Sequence, residues 1–334
     1  MAATGWFLLL RLLLGAKLLP RCYWCWLCSR IDCKSPRGAK LGMGKEMPGS
    51  PEDTGWRKTI PVNRNRLQSR LLAGVVGTLL AGAAIAPFAH FERSGHALEL
   101  VVGLVLSFGF AALVWILRAA TLPAAAMGFL VCFILSQDPV LWTGFSPLPI
   151  FHPAIPALLA LFVITFGATK YGRTKKEVRG VAEARTGRQA SQVIANLGVA
   201  ALCAALGQYS GCIAALAEAT ADTVASEMGQ AIGGPAWLIT KFRRVPVGTD
   251  GGISVAGTTA GIVAAGVIVA IGALHHALWP DKVLVFVAAC AGLFFDSLLG
   301  ATVERWGWVG NDVVNFASTL FAAAIAIGLQ GTMH

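Results

Sequence analysis

The sequence predicts an all-α, polytopic transmembrane helix bundle of about nine spans, with a polar site at its cytoplasmic face. Three observations lead there. Of the 334 residues, 56% are hydrophobic and only 13% charged, whereas soluble domains carry about 25% charged residues. The apolar residues arrive in blocks close to the ~20 residues that span a bilayer. They do not alternate with polar ones, as strands of a transmembrane β-barrel would. The connecting segments, finally, sort by charge.

Residues 1–70 stand apart from the rest. They hold 13 Lys+Arg against 4 Asp+Glu, while residues 71–334 hold 14 against 13. The net charge of +10 is therefore an N-terminal property. No basic stripe interleaved with aromatics occurs, so nucleic acid is not an expected partner. Basic residues before a first span read as a cytoplasmic anchor. The segment as a whole is expected to be a basic, largely disordered leader. Within it, Trp6–Leu19 is apolar but interrupted by Arg11 and Lys17, and reads as an atypical signal segment. Cys22, Cys25, Cys28 and Cys33 have a spacing similar to metal or cluster sites. They lack a second ligand group and sit among Tyr23, Trp24 and Trp26, so a non-native leader is preferred. Residues 34–66 are polar and proline-punctuated, and Met43 and Met47 lie just before the polar stretch that leads into the membrane part, which points to a start upstream of the true one. The other cysteines, Cys132, Cys203, Cys212 and Cys290, are isolated in apolar stretches and are expected to pack as small hydrophobes.

The membrane domain covers 71–331, with spans at roughly 71–91, 98–117, 119–136, 149–169, 192–208, 210–228, 254–275, 282–303 and 313–331. The loop 170–188 holds seven basic residues against Glu177 and Glu183, and Lys241, Arg243 and Arg244 form a second basic loop. The positive-inside rule puts both in the cytoplasm, together with Arg118, the segment 64–70 and the N-terminus. The C-terminus then lies on the opposite side. The protein is expected to be multi-pass in the bilayer, which is the plasma or inner membrane if the cell is bacterial.

Nucleotide P-loop, zinc-protease and serine-hydrolase motifs are absent, and the six histidines show no metal-binding spacing. His275–His276 reads as interfacial packing. The informative residues are acids, which are costly within spans and usually have a role or a partner. Asp222, Glu227, Asp250, Asp296, Glu304 and Asp312 all gather at one predicted membrane face. Asp222, Glu227 and Asp296 suit Mg²⁺ through hard oxygen ligands. The blander reading pairs a helix-end acid with Arg243 or Arg244. Asp222 and Glu227 lie about 140° apart on a straight helix, so joint ligation needs a loosened turn near Gly229.

Between the sixth and seventh spans, Lys241, Arg243 and Arg244 precede Gly248, Thr249, Asp250, Gly251, Gly252 and Ser254. Glycines allow close backbone approach, the following helix N-terminus favours anions, and the cations add charge-assisted contacts. The set resembles a phosphate cradle; a tight interhelical turn is the alternative. Arg188, Gln192 and Asn196 give the fifth span a polar face, and Asn311, Asp312 and Asn315 do the same for the ninth. Substrate contact and interhelical hydrogen bonding suit these amides equally.

Five segments in order carry a resemblance: 187–196 (GRQASQVIAN), 221–229 (ADTVASEMG), 247–254 (VGTDGGIS), 296–302 (DSLLGAT) and 311–315 (NDVVN). Together they resemble an integral-membrane family, long labelled only as of unknown function. It includes animal transmembrane protein nineteen and the phytyl-phosphate kinase of plants and cyanobacteria. The resemblance covers about 70–331. It implies NTP-dependent conversion of a phytyl- or geranylgeranyl-type monophosphate to the diphosphate, with CTP a candidate donor and Mg²⁺ as cofactor. On that implication Asp222, Glu227 and Asp296 hold the metal, with Asp250 beside them in the catalytic set. Lys241, Arg243, Arg244 and the 248–254 turn hold the nucleotide. Arg188, Gln192, Asn196, Asn311, Asp312 and Asn315 position the lipid phosphate. The rivals are a lipid or ion-coupled transporter or flippase, and a cytidylyltransferase forming a CDP-lipid.

Overall fold

A helix runs through the described part of each predicted span in the computed structural model, which describes residues 60–94, 97–137, 154–183, 186–274 and 281–333. These residues belong to a unit spanning Asp53–His334. The Trp6–Leu19 stretch, the leader cysteines, Met43, Met47, His275–His276 and nearly all of the 137–148 loop lie outside the described residues.

The helices are α1 (Val62–Ser94), α2 (Ala97–Ile116), α3 (Leu122–Leu135), α4 (Ala154–Lys170), the short α5 (Arg173–Val178), α6 (Ala190–Ala205), α7 (Tyr209–Ile232), α8 (Val255–Gly272), α9 (Lys282–Leu299) and α10 (Asn311–Met333). Among the described residues, four helical stretches are long and apolar enough to cross a membrane: Val62–Ile85, Val255–Gly272, Lys282–Glu304 and Asn311–Gln330. Leu100–Ile116, Leu122–Leu135, Ala154–Lys170 and Ala190–Ala205 are apolar but shorter.

Burial is distributed as a lipid solvent demands. Large side chains such as Val75, Leu79, Val105, Phe108, Val263 and Val283 are exposed on the outside, while the interior is rich in alanine and glycine. Lipid offers no hydrophobic reward for helix association, so small residues that let backbones approach do the packing. The α7–α8 pair shows this. Gly257 and Gly261 of α8 lie against the Ala225 and Ala221 carbonyls of α7, and a Cβ at Gly261 would stand 2.6 Å from the Ala221 oxygen. Cys132, Cys203 and Cys212 are free and buried, and Cys290 is half-buried.

Helix α7 is the hub, packed against α4, α5, α6, α8, α9 and α10. Its Ile213–Ala217 segment is completely buried. It is shielded from lipid by its neighbours, which is why it can carry Glu218, Asp222 and Glu227.

Three features depart from the expectation. Helix α1 begins at Val62, so the end of the stretch expected to be disordered is ordered. The Gln68 side-chain amide donates to the Trp308 carbonyl and its oxygen accepts from Gly310 N, while Ser69 Oγ donates to Asp312. The polarity of 62–70 thus serves docking onto the loop before α10. Next, the connection from α7 to α8 is not a plain turn. It holds a three-stranded antiparallel sheet of β1 (Ala236–Leu238), β2 (Arg243–Val245) and β3 (Gly252–Ile253), in the order β2-β1-β3. Finally, α9 ends in a π-helical turn, Gly300–Glu304, of a kind that often accompanies functional sites.

Candidate functional site

The connectivity brings one set of helix ends together: the starts of α6, α8 and α10 and the ends of α7 and α9. Between them lies a cavity of about 370 Å³. The sequence-singled Arg188, Gln192, Asn196, Asp222, Glu227, Gly248, Thr249, Asp250, Gly251, Gly252, Ser254, Asp296, Asn311 and Asn315 all line it, as does Glu304. Thus residues far apart in the chain share one wall system.

The floor is acidic. The carboxyl groups of Asp222 (α7) and Asp296 (α9) are close neighbours, and Ser318 Oγ of α10 donates to Asp296 at 3.1 Å. One turn deeper on α7, Glu218 is 1% exposed, near Asp222, Asp296 and Ser318, and its Oε1 has no hydrogen-bond partner. Sequence reasoning missed Glu218. Its position four residues before Asp222, on the same helix face, was the available signal. Asp222 stands about 15 Å along the helix from the end of α7, at 1.5 Å per residue. The acids therefore reach deeper than the helix end the span count suggested.

Arg188 is fixed by its backbone. Its N–H donates to the Ala119 carbonyl, its own carbonyl accepts from Thr121 N, and the two segments meet as an isolated parallel bridge at Ala120. Arg118, in the left-handed region at φ 53°, turns the chain between α2 and α3 to allow this. The guanidinium lies 3.5 Å from Glu183, reaches Thr223 at 3.5 Å, and acts electrostatically on Asp222. Asn196 and Asn315 join α6 to α10 across the cavity wall at 3.4 Å.

The 248–254 segment is a shaped backbone loop. Gly248 and Gly251 have φ of 82° and 70°, a region that favours glycine. At Gly251 a Cβ would run into the backbone of Ala301 in the π turn. The loop is therefore pressed against the turn that follows Asp296, and close approach needs glycine on both sides, at Gly251 and Gly300. Ser254 caps α8, its Oγ accepting from Gly257 N at 3.1 Å. Ser254 and Thr258 bring the start of α8 to the cavity wall, the end of a helix at which anions are favoured.

Several predicted roles do not fit this geometry. Glu227 lines the cavity, yet its carboxylate is ion-paired with Lys176 of α5, which is itself 1% exposed. Lys176 Nζ also donates to the Ala168 and Thr169 carbonyls at the end of α4. The pair therefore staples α4, α5 and α7, and Glu227 is turned away from Asp222 and Asp296. Among the described residues no group of three or more His, Cys, Asp or Glu side chains is arranged to hold a metal ion. The three-carboxylate set does not assemble; the pair Asp222–Asp296 does. Lys241, Arg243 and Arg244 are exposed on the β1–β2 hairpin and outside the cavity lining. The strand order explains it: β2 is separated from β3 and the glycine loop by β1. Asp312 accepts from Ser69 and is likewise outside the lining.

The donor chemistry of the floor fits a magnesium ion. Mg²⁺ commonly takes one or two protein carboxylates and completes its shell with water and phosphate oxygens. Two carboxyl groups in contact repel when both are ionised, and a cation between them relieves this as a shared proton does.

Comparison with known proteins agrees with the resemblance seen in the sequence. The model of the integral membrane protein family DUF92 matches residues 104–323, about two thirds of the chain. An uncharacterized membrane protein of Synechocystis is 36% identical over 189 residues, which is 52% of this chain and 73% of that protein. The chloroplastic protein VTE6 of Arabidopsis thaliana is 34% identical over 188 residues, 51% of this chain and 56% of the plant protein. An uncharacterized membrane protein of Methanocaldococcus jannaschii is 33% identical over 185 residues, 53% of this chain and 76% of that one. No solved structure matches. The chain belongs to the DUF92 family.

Proposed function

We propose that this member of the DUF92 integral membrane family is a prenyl-phosphate kinase, transferring the terminal phosphoryl group of a nucleoside triphosphate to a prenyl monophosphate. The observation that carries the reading is the convergence of Arg188, the Asp222–Asp296 pair, the 248–254 loop, Asn311 and Asn315 on one cavity. The resemblance to the phytyl-phosphate kinase family supports the reaction class, and the similarity to the chloroplastic plant protein agrees with it.

An oxygen of the lipid phosphate attacks the terminal phosphorus. One P–O bond forms, the bridge to the next phosphate breaks, and nucleoside diphosphate leaves. The acceptor is already an anion, so no strong base is required. Catalysis rests on positioning and on offsetting charge. Asp222 and Asp296 would hold Mg²⁺, which, when bound, neutralises charge shared between the reacting phosphates. The 248–254 loop and the start of α8 cradle the nucleotide phosphates. Arg188, pinned by its backbone, orients the acceptor, with Gln192, Asn196, Asn311 and Asn315 around it. Asp250 shapes the loop rim. In this reading the nine apolar helices cross the bilayer, and the cavity end faces the cytoplasm, as does the N-terminus, where the basic segments lie.

A second reading, ion-coupled transport, is favoured by the depth of Glu218 and Asp222, since such proteins carry acids within the membrane. The products separate the readings. A kinase releases nucleoside diphosphate and a cytidylyltransferase pyrophosphate, while a transporter releases neither. Purified protein in nanodiscs is supplied with phytyl or geranylgeranyl monophosphate, Mg²⁺ and each nucleotide in turn, with lipid products read by mass. Prenyl diphosphate is expected. Folded protein that gives no lipid product with any nucleotide overturns the reading.

A further inference from the structure

A second concavity adjoins the first and has the opposite character. It runs between α2, α3, α4 and α6, with walls that include Phe110, Gly128, Leu158, Leu161, Phe162 and Leu197. Phe110 and Phe162 meet edge to face at 5.8 Å from opposite sides, α2 and α4. Gly128 leaves room there, because a Cβ at that position would touch only the Phe110 ring at 3.5 Å. The mouth is cationic: Arg118, Lys170, Arg173 and Arg188 line it, Arg173 paired with Glu177 at 3.1 Å and Arg188 lying 3.5 Å from Glu183, so that Arg118 and Lys170 set the excess charge. Arg188, Glu183 and Asn196 belong to this groove and to the polar cavity alike.

We propose that this groove holds the substrate lipid: an apolar chain along Phe110, Gly128, Leu161 and Phe162, and its phosphate head under Arg118, Lys170 and Arg188. The inference rests on the kinase reading for what happens to that phosphate, not for where it binds. Charge complementarity selects the occupant. An apolar trough ending in four cations suits an amphiphile with one anionic head, and neither a neutral lipid nor a soluble anion uses both parts. Lys170 Nζ lies 5.1 Å from the Phe166 ring centroid, so its charge is held at the rim by a cation–π contact. The shared wall gives the arrangement its purpose. A phosphate gripped by Arg188 from the groove side stands next to Asp222 and Thr223, toward which the same guanidinium points. Arg188 thus marks the passage from the lipid-binding chamber to the polar one.

The test is a binding measurement that needs no turnover. The full chain in nanodiscs is photolabelled with a twenty-carbon alkyl monophosphate bearing a diazirine near its tail, and labelled peptides are mapped by mass spectrometry. Label is expected in 110–128 and 158–166, and to be displaced by geranylgeranyl monophosphate. The exposed rim pair Arg118→Gln with Lys170→Gln is expected to weaken labelling by the monophosphate about tenfold, the combined loss of two partly screened charge contacts. The corresponding diazirine alcohol should label wild type and variant equally. Gly128→Leu should block labelling in the groove; Leu161→Trp serves the same purpose if the first variant is poorly folded. Label spread over the outer faces of α1 and α8, or a rim variant that binds the monophosphate as wild type does, overturns the proposal even if prenyl diphosphate is formed. Groove labelling in a protein that makes no diphosphate leaves the lipid site standing and removes the kinase reading instead.

Discussion

The two chambers that meet at Arg188 are built from different materials. The polar cavity is assembled from helix ends, and its wall comprises carboxylates, amides and backbone loop. The groove is assembled from helix sides, and its wall comprises aromatic and aliphatic groups with cations at the rim. Helix ends expose orphan N–H and C=O groups and tolerate glycine turns, so polar chemistry collects there. Helix sides in a membrane protein present side chains alone, so they shape apolar space. In the proposed reading, one architecture places a water-soluble and a lipid-soluble reactant against each other without a separate domain for either.

The sharpest way to break this contrast is to disable the polar chamber alone. Asp222→Asn, or Asp296→Asn, is expected to reduce prenyl diphosphate formation by at least about 10³-fold, because metal-held charge stabilisation is worth several kcal/mol in the transition state. Photolabelling of the groove should persist. Near-normal turnover would remove the acid pair from the chemistry and leave the polar cavity without its central assignment.

Glu227 tests a subtler division within α7, between an acid used for chemistry and one used for assembly. Removing one partner of a buried ion pair strands the other charge, at a cost of about 3–5 kcal/mol. Lys176→Met and Glu227→Met should each lower the unfolding midpoint in detergent strongly, and the double variant should recover much of the loss. The Mg²⁺ concentration for half-maximal turnover should not change in the double variant. A raised Mg²⁺ requirement would return Glu227 to the metal set.

Gly251 probes how the cavity wall is held. Its positive φ and its contact with the Ala301 backbone leave no place for a side chain. Gly251→Ala is expected to cost about 1–3 kcal/mol of local strain and to raise the nucleotide KM several-fold, since the loop must move off the π turn. An unchanged KM would detach the 248–254 loop from nucleotide binding.

Much of this was legible in the sequence. Apolar block length located the long apolar helices among the described residues, and the acids singled out within them include Asp222 and Asp296, which line the cavity. What escaped has physical causes. Lys176 sits in a run of basic residues whose members look alike in sequence, and only the packing of α5 on α7 distinguishes the buried one. Glu227 stayed in the expected metal set despite its angle to Asp222, since the ion pair that claims it comes from 51 residues away. The sheet in the α7–α8 connection was hidden by strands of two or three residues, too short for a period-two pattern. The groove escaped because an apolar trough and an apolar core have the same composition. Of its rim cations, Arg118, Lys170 and Arg173 looked like topology markers alone, and Arg188 was the one read as a phosphate contact.

The smallest expected effect concerns the three cations that sequence reasoning assigned to the nucleotide. Lys241, Arg243 and Arg244 stand on the outer side of the small sheet, paired through β1 at Leu238↔Arg243 and Trp237↔Arg244. Exposed charges at this distance from the cavity act through screened solvent, where a single contact contributes about 0.2–1 kcal/mol. The triple change to glutamine should therefore alter nucleotide KM by less than about threefold at physiological salt, and the change should fade as salt is raised. Because the same residues carry the positive-inside signal, their loss should register in topology before it registers in kinetics. A KM increase of tenfold or more that survives high salt would mean that the hairpin folds over the bound nucleotide. The polar chamber would then have a second wall, drawn from the sheet as well as from the helix ends.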